Sequence, residues 1–197
     1  MRYMNRKKIL IAAFILVALV QLFVPAKMIW NRERIIDSGT EFKFKTEPID
    51  PTDPFRGKYI TLRYDENTFQ VEDESEWYRD EDVYVSLKTD DEGFVKISAV
   101  SKGKPMNDNA FVMAKVRYTS YDSTNTLTIR YPFDRYYMEE SKAYEAEKIH
   151  RQSQRDSSHL TYALVSIRDG KAVLKDVLID EVSIREIVKN RQKEIGY

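Results

Sequence analysis

The stretch that decides the fold is residues 160–179, LTYALVSIRDGKAVLKDVLI. Apolar and β-branched side chains dominate on both sides of Asp169-Gly170, as they do in strands. An Asp-Gly pair supplies the positive φ angles that a two-residue hairpin turn requires. The sequence therefore predicts an antiparallel hairpin with strands at residues 160–168 and 171–179.

Alternating apolar and polar side chains predict further strands upstream. In residues 41–46, Phe42 and Phe44 fall on one face. In residues 58–64, Ile60, Leu62 and Tyr64 fall on one face, and Tyr59, Thr61 and Arg63 on the other. The turn sequence at residues 90–93 predicts a second hairpin. The remaining predicted strands are residues 83–88, 94–100, 110–118 and 126–131.

One helix is predicted within this series of strands. Residues 138–155, MEESKAYEAEKIHRQSQR, are rich in good helix formers. The apolar positions form only a thin stripe, so we expect this helix to lie on the surface. Residues 184–195 form either a second short amphipathic helix or an irregular tail.

An apolar segment at residues 9–24 indicates export. It reads ILIAAFILVALVQLFV, with Gln21 as its single polar residue. Sixteen helical residues measure about 24 Å, and extension to Trp30 reaches the roughly 30 Å of a hydrocarbon core. The segment is therefore predicted to cross the lipid bilayer. Four basic residues precede it and are expected to stay in the cytoplasm: Arg2, Arg6, Lys7 and Lys8.

These features predict two parts. Residues 1–30 form a basic cytoplasmic stub and a transmembrane signal-anchor, and residues 31–197 form the exported domain. A retained anchor is the first expectation, and cleavage near Val24-Pro25-Ala26 is the alternative. The fold class is mainly β (α+β), with one N-terminal transmembrane helix followed by an antiparallel β-rich exported domain that carries one inserted surface helix. We expect a single-pass protein of the cytoplasmic membrane whose C-terminal domain is periplasmic or extracellular.

Composition excludes several classes of protein. The sequence has no cysteine, so disulfides, thiolate metal sites and a cysteine nucleophile are excluded. The net charge is zero, but residues 1–27 contain five basic and no acidic side chains. The remaining residues therefore carry 27 basic against 32 acidic groups. Such a body is a poor polyanion binder, and nucleic acid is not expected as a partner.

The most unusual local sequence is residues 48–64, PIDPTDPFRGKYITLRY. Pro51 and Pro54 fix φ and bias the residues before them to extended geometry. Gly57 lets the chain turn tightly into the following strand. The result is a rigid corner that brings together three charged side chains: Asp50, Asp53 and Arg56. Alternatively, the aspartates only hydrogen-bond local backbone amides, as turn aspartates do.

This stretch resembles the GDYXXLXY family of membrane-anchored bacterial proteins. The signature positions are Gly57, Tyr59, Leu62 and Tyr64, and Lys58 stands at the signature aspartate. The preceding run PxDPxDxxRG is also similar to the family. Its positions here are Pro48, Asp50, Pro51, Asp53, Arg56 and Gly57.

A second similarity to the family follows at residues 131–147. It comprises a tyrosine corner, an acidic residue, two aromatics and a spaced acidic pair, and Pro132 stands where glycine is usual. The matching positions are Tyr131, Asp134, Tyr136, Tyr137, Glu140 and Glu147. The resemblance implies an N-terminally anchored, exported domain of no established activity. It also implies a partner, because such proteins are often encoded beside multi-pass membrane proteins.

Enzyme and metal motifs are weak in this sequence. No GxSxG occurs, and the two histidines, His150 and His159, lie in or after the polar helix. Glu147 and His150 share a helical face, which is half of a carboxylate-bridged metal site, but a solvated helix face is the preferred interpretation. No catalytic residue, metal or cofactor is predicted, and a hydrolase with an unrecognised site is the third hypothesis.

The leading hypothesis is a non-enzymatic accessory subunit that docks on a multi-pass membrane protein. The primary interface candidates are Asp50, Asp53, Arg56, Gly57 and Tyr59, with Tyr64 and Tyr136 as secondary candidates. The alternative is an envelope glycan or peptidoglycan binding module, because aromatic side chains can stack on sugars. Its basis is the set of 13 tyrosines, of which six lie close together: Tyr118, Tyr121, Tyr131, Tyr136, Tyr137 and Tyr144.

Overall fold

A computed structural model describes residues 6–46, 59–106, 110–119, 125–138, 140–155 and 159–195. This part of the chain is mainly β, with antiparallel sheets after a long N-terminal helix, as predicted. The elements in chain order are α1 (Arg6–Ser38), β1 (Thr40–Lys45), β2 (Tyr59–Thr61), β3 (Thr68–Gln70), β4 (Asp82–Thr89), β5 (Val95–Ser101), β6 (Phe111–Thr119), β7 (Thr126–Arg130), β8 (Arg135–Tyr137), α2 (Glu140–Arg155), β9 (Thr161–Arg168), β10 (Lys171–Ile179), β11 (Val182–Ser183) and α3 (Ile184–Ile195).

The helix α1 is long and apolar enough to span a membrane. Its 33 residues measure about 50 Å, well beyond the roughly 30 Å of a hydrocarbon core. Its most apolar window has no buried residue, and Phe14 is 74% exposed. The helix supports the predicted single-pass anchoring. It also continues past Trp30 to Ser38, so the proposed domain boundary at residue 30 falls inside a helix.

The end of α1 is joined directly to the β domain. The carbonyl oxygen of Ile35 accepts hydrogen bonds from the Gly39 amide (2.9 Å) and from Ser166 Oγ (2.6 Å). A Cβ atom at Gly39 would collide with Ser166 Oγ and with the carbonyl oxygen of Ile35. A glycine, which has no Cβ atom, is therefore required at this position. Thr40 then begins β1, and no linker separates anchor and sheet.

The predicted C-terminal hairpin is confirmed. Asp169 (φ 51°) and Gly170 (φ 79°) form the turn between β9 and β10 with both φ angles positive. β9 pairs with β1 on its other side, which gives a four-stranded sheet in the order β1-β9-β10-β11. The register of β10 shifts between Leu174 and Asp176, which is the signature of a bulge.

A second sheet has five strands in the order β3-β7-β6-β4-β5. The predicted hairpin of β4 and β5 is confirmed, and Asp90 Oδ1 accepts the amides of Glu92 and Phe94 in its turn. The predicted strands at residues 110–118 and 126–131 pair as β6 and β7. The strand β3 was not predicted.

The two sheets share one apolar core. Phe44 and Val165 from the four-stranded sheet and Val85 and Val116 from the five-stranded sheet are at most 1% exposed. Full burial of one such side chain contributes about 1.5–3 kcal/mol. The sheets also meet through the backbone, where the Met113 amide donates to the Gly170 carbonyl at 2.8 Å.

The helix α2 is more buried than predicted. The stripe of Ala146 and Ile149 packs into the core, but the polar side chains of His150 and Ser153 are buried as well, at 1% and 6% exposure. The interpretation of His150 as part of a solvated helix face is therefore wrong. Because the inner side of this helix carries polar residues, its contact face cannot be recognised from the pattern of apolar side chains.

Of the two alternatives for residues 184–195, the helix is confirmed. Ser183 Oγ accepts the Arg185 amide and so caps the first turn of α3. Ile184 and Val188 are fully buried and place α3 against β10 and α2.

Candidate interaction site

The two sequence segments that resemble the family pair with each other. β2 and β8 form an antiparallel ribbon in which Tyr59 faces Tyr137 and Ile60 faces Tyr136. The Leu62 amide extends the pairing by donating to the Asp134 carbonyl at 2.8 Å. Residues more than 70 positions apart in sequence thus build one structural unit, which we call the ribbon.

The inner face of the ribbon follows the predicted alternation. Ile60, Leu62 and Tyr64 are 1–3% exposed, whereas Tyr59, Thr61 and Arg63 are only partly buried. An apolar side chain at every second position is what a strand lying over a core requires. The ribbon therefore has one side for the interior and one for the solvent.

Four aromatic rings pack together on the inner side. Phe44, Tyr64, Tyr131 and Phe133 have ring centroids 5.0–5.7 Å apart, most of them edge to face. The hydroxyl of Tyr64 donates to the Phe133 carbonyl at 2.7 Å, and that of Tyr131 donates to the Glu66 carbonyl at 2.8 Å. Burial raises the pKa of both tyrosines well above 10, so the hydroxyls stay protonated.

Tyr136 joins the ribbon to the other layer of the domain. Its hydroxyl donates to Asp176 Oδ1 at 2.6 Å, at the β10 bulge, and its ring lies 5.1 Å from the Arg185 guanidinium. Burial and the hydrogen bond to Asp176 raise the pKa of Tyr136. The side chain is 2% exposed.

Four of the predicted interaction residues thus serve the core in this conformation. Leu62, Tyr64, Tyr131 and Tyr136 are at most 3% exposed and do not present side chains to a partner. For Tyr64 and Tyr136 this corrects the expectation of a secondary interface role. The hydroxyl of each of these two tyrosines is hydrogen-bonded to a carbonyl or carboxylate oxygen and so helps to hold the core together. A tyrosine that is buried in this way is not recognisable as such from its residue type.

The outer side of the ribbon exposes an aromatic and cationic cluster. Tyr59 and Tyr137 lie side by side with centroids 5.4 Å apart, and the Arg135 guanidinium lies 4.9 Å from the Tyr59 centroid. Tyr137 is 60% exposed. We call these three residues the outer patch; its residue types are those enriched at protein interfaces.

Several predicted residues fall outside what the structure describes. Asp50, Asp53, Arg56 and Gly57 belong to residues 47–58, which are not described, and their role stays a prediction. Glu140 and Glu147 lie at the start and in the middle of α2, but their side chains are likewise outside the description. In sequence, the undescribed segment leads directly into Tyr59 of the outer patch.

Three clefts adjoin the segment Pro132–Asp134, and Asp134 lines all of them. Their volumes are about 550, 450 and 220 Å³. Their basic lining residues come from six elements and the loop before β3: Arg32, Arg63, Lys115, Arg117, Arg130, Arg135, Lys171 and Arg185. This basic surface has no signal in the sequence, because the body as a whole is acidic and these residues meet only in the fold.

One cleft brings together side chains of a hydrolase triad type. Ser153, His159 and Asp180 line it, and His159 Nδ1 lies 2.5 Å from Asp180 Oδ2. However, Ser153 Oγ donates to the His150 carbonyl at 2.8 Å and lies 3.1 Å from Thr161 Oγ1. This hydroxyl is engaged in helix and strand contacts and not with an imidazole base.

No metal cluster is found among the described side chains, where no three or more His, Asp or Glu residues lie together in a metal-binding arrangement. The tyrosine-rich surface is also divided. Tyr131 and Tyr136 are buried, whereas Tyr118 and Tyr137 are exposed on different sheets. The described tyrosines therefore do not form one stacking platform.

Comparison with known proteins identifies the family of the chain. No curated protein and no solved structure matches the chain. The family model described as GDYXXLXY protein matches residues 21–177, which extend from the second half of α1 into β10 and include both strands of the ribbon. The protein therefore belongs to the GDYXXLXY family.

Proposed function

We propose that this protein is a membrane-anchored accessory subunit that docks on a multi-pass membrane protein through the outer patch. The N-terminus lies in the cytoplasm, α1 is retained as a signal-anchor, and the β domain stands on the outer side of the cytoplasmic membrane. The basic residues before the apolar segment at residues 9–24 support this orientation, because positively charged flanks remain in the cytoplasm.

The observation that carries the proposal is the position of the outer patch beside the anchor. Arg32 of α1 and Arg135 and Tyr137 of β8 line the same cleft. Arg32 is eight residues beyond Val24, about 12 Å along the helix axis. An aromatic pair at this height, with Tyr137 exposed and Tyr59 partly buried, would face the extramembrane loops of a neighbouring membrane protein rather than the bulk solvent.

The test is affinity purification of the full-length protein, after crosslinking, from its native membranes, with mass spectrometry of the captured proteins. We expect one multi-pass membrane protein at near-equal amount. Tyr59→Ala combined with Tyr137→Ala should remove it, and Arg56→Ala tests the adjoining sequence motif. The matched control is Tyr118→Ala, an exposed tyrosine on β6 of the other sheet, which should leave the capture unchanged.

Melting temperatures decide whether a loss of capture means lost contact. The outer-patch variants should melt within about 4 °C of the parent, because the lost cross-strand contacts contribute only about 0.2–1 kcal/mol. If no membrane protein is enriched by the parent, or if Tyr118→Ala removes it equally, docking through the outer patch is wrong.

A further inference from the structure

A second feature of the membrane-proximal side is a cleft of about 450 Å³ between α1, the turn before β8, β10 and the start of α3. Three separate segments each contribute one arginine to it: Arg32, Arg135 and Arg185. Asp134 is the single carboxylate among the lining residues. We call this the arginine cleft, and its lining carries an excess of positive charge although the body is acidic.

The three arginines are only partly compensated within the described part of the chain, because Asp134 attracts Arg135 without forming an ion pair with it. The neighbouring clefts contrast with this, since Lys115 pairs with Asp82 at 2.8 Å and Arg130 pairs with Asp80 at 2.9 Å. None of Arg32, Arg135 and Arg185 has such an ion pair with a described carboxylate. Three exposed guanidinium groups around one cleft repel each other, and an anion between them relieves that repulsion.

Two of the guanidinium groups are held in place by aromatic rings. Arg135 lies over Tyr59, and Arg185 lies over Tyr136 at 5.1 Å. Stacking fixes the plane of a guanidinium group while its N–H edge keeps the donors that bind a phosphate bidentately. The hydrogen bond from Tyr136 to Asp176 in turn fixes the ring under Arg185. Such ordered donors lose little conformational entropy when a ligand binds.

The third arginine places the cleft at the bilayer surface. Arg32 is two residues beyond Trp30, the end of the predicted membrane span, which is about 3 Å along the helix axis and therefore at the level of the lipid headgroups. Arg34, two residues further, lies about 160° around the helix axis from Arg32 and lines a different cleft with Arg168 and Lys171. The arginine cleft is thus one of two separate basic clefts on different sides of the anchor.

We propose that the arginine cleft binds one phosphate-bearing anion, and that the headgroup of an anionic phospholipid supplies it. The proposal rests on the anchoring of α1 in a membrane but not on the docking of a protein partner. The ligand would sit among the guanidinium groups, with its acyl chains alongside α1.

The test uses the full-length protein in an uncharged detergent, titrated with phosphatidylglycerol and, as the neutral probe, phosphatidylcholine. Native mass spectrometry counts the lipids bound to each chain. We expect one phosphatidylglycerol to be retained in preference to phosphatidylcholine. Arg32→Gln combined with Arg185→Gln should weaken its binding about 25-fold, because each arginine near a lipid surface contributes about a factor of five.

The matched control is Arg34→Gln combined with Arg117→Gln, which removes the same charge outside the arginine cleft. Its affinity for phosphatidylglycerol should stay within about twofold of the parent. Equal losses in the two double variants would show that only general surface charge matters and would overturn the site. The absence of any preference for phosphatidylglycerol, together with no stabilisation by inorganic phosphate, would do the same.

Inorganic phosphate distinguishes the two sources of the anion. If millimolar phosphate leaves the bound phosphatidylglycerol in place, the lipid is the ligand, as proposed. If phosphate raises the melting temperature and phosphatidylglycerol does not bind, the anion site stands but the headgroup as its source is wrong. Arg32→Gln alone, at a position without stacking partners in the described chain, repeats the test with an expected fivefold loss should the double variant unfold.

The two proposals fail independently. Tyr59→Ala with Tyr137→Ala should remove the protein partner and, because it frees only Arg135, weaken phosphatidylglycerol binding less than Arg32→Gln with Arg185→Gln does. The Arg32 and Arg185 variant should keep the protein partner. Loss of both ligands in both variants would mean that the outer patch and the arginine cleft are one site, and would overturn the claim of a separate anion site.

Discussion

The two faces of the ribbon use the same residue type in opposite ways. On the inner face, the hydroxyls of Tyr64 and Tyr136 each donate to a fixed acceptor, and both side chains are nearly inaccessible. On the outer face, the rings of Tyr59 and Tyr137 are adjacent and tilted, Tyr137 is exposed, and Tyr59 is partly buried. The tyrosines of the family signature are therefore not one set, because Tyr64 is a core residue and Tyr59 lies on the outer face of the ribbon.

The same contrast between a buried and an exposed copy of one residue recurs elsewhere. His150 is buried and His159 exposed, and Gly39 is tightly enclosed whereas Gly103 has open space around it. Each pair gives a test with its own control, since one chemical change is made in two environments.

The largest effect is expected at the inner face of the ribbon. Tyr64→Ala should lower the free energy of unfolding by about 3–5 kcal/mol, because it empties a site among three other rings. Tyr64→Phe should cost about 1–3 kcal/mol, because the buried Phe133 carbonyl loses its donor. Chemical denaturation of the detergent-solubilised protein measures both. If Tyr59→Ala lowered the free energy of unfolding as much as Tyr64→Ala does, the distinction between the inner and outer faces of the ribbon would be wrong.

The buried histidine should make stability depend on pH. Burial lowers the pKa of His150 from 6.5 to about 4. Between these two pH values, the unfolded chain binds a proton at this histidine and the folded chain does not. Stability is then fully present above pH 6.5 and falls by roughly 3 kcal/mol as pH decreases to 4.

Unfolding curves at pH 7 and pH 4.5 measure this loss. His150→Gln should remove most of the difference between the two pH values, whereas His159→Gln, at the exposed position, should retain it. The same pH dependence in the parent and in His150→Gln would assign it to the carboxylates instead.

A smaller loss is expected where the anchor joins the sheet. Gly39→Ala should destabilise the protein by about 1–3 kcal/mol, because the new Cβ must displace the Ser166 hydroxyl or the Ile35 carbonyl. Gly103→Ala, with no atom within 4 Å of the added Cβ, is the control and should be nearly neutral. Thermal melting of the two variants compares them, and equal melting temperatures would show that the joint is loose.

The smallest effect on stability is expected at the outer patch. Tyr137→Ala should lower the free energy of unfolding by only about 0.2–1 kcal/mol, the size of one cross-strand pair. The same denaturation experiment detects it. A cost above about 2 kcal/mol would indicate that the outer patch is structural and would weaken its assignment as a docking surface.

The strands that a local pattern specifies were predictable from sequence. The β9–β10 hairpin has its own turn residues at Asp169 and Gly170, and the inner face of β2 has its own alternation. The short strands β3 and β8 were missed because each has three residues, too few for a period, and exists through its partner strand. The burial of His150 was missed for a related reason: a polar residue in the sequence does not indicate that another element will pack over it.

The candidate site was predictable only in part. Residues 48–64 and 131–147 were singled out from sequence, and the structure brings the described parts of the two together. Alternation places Tyr59 and Tyr64 on opposite faces, but the hydrogen bonds and ring contacts of the buried tyrosines depend on Phe44 and Asp176, which come from other strands. The arginine cleft was not predictable at all, because Arg32, Arg135 and Arg185 are brought together by three elements that do not neighbour each other in the chain.

The short passage from Ile35 through Gly39 into the first strand has a mechanical consequence. A domain on a flexible tether tumbles independently of its membrane segment, but here helix and sheet share hydrogen bonds and no slack lies between them. A change in the tilt of the transmembrane helix is therefore transmitted as a rotation of the whole domain. For the docking proposed above, the search for a partner is then confined to two dimensions at a fixed height and orientation, so few relative orientations need to be sampled before two complementary surfaces meet.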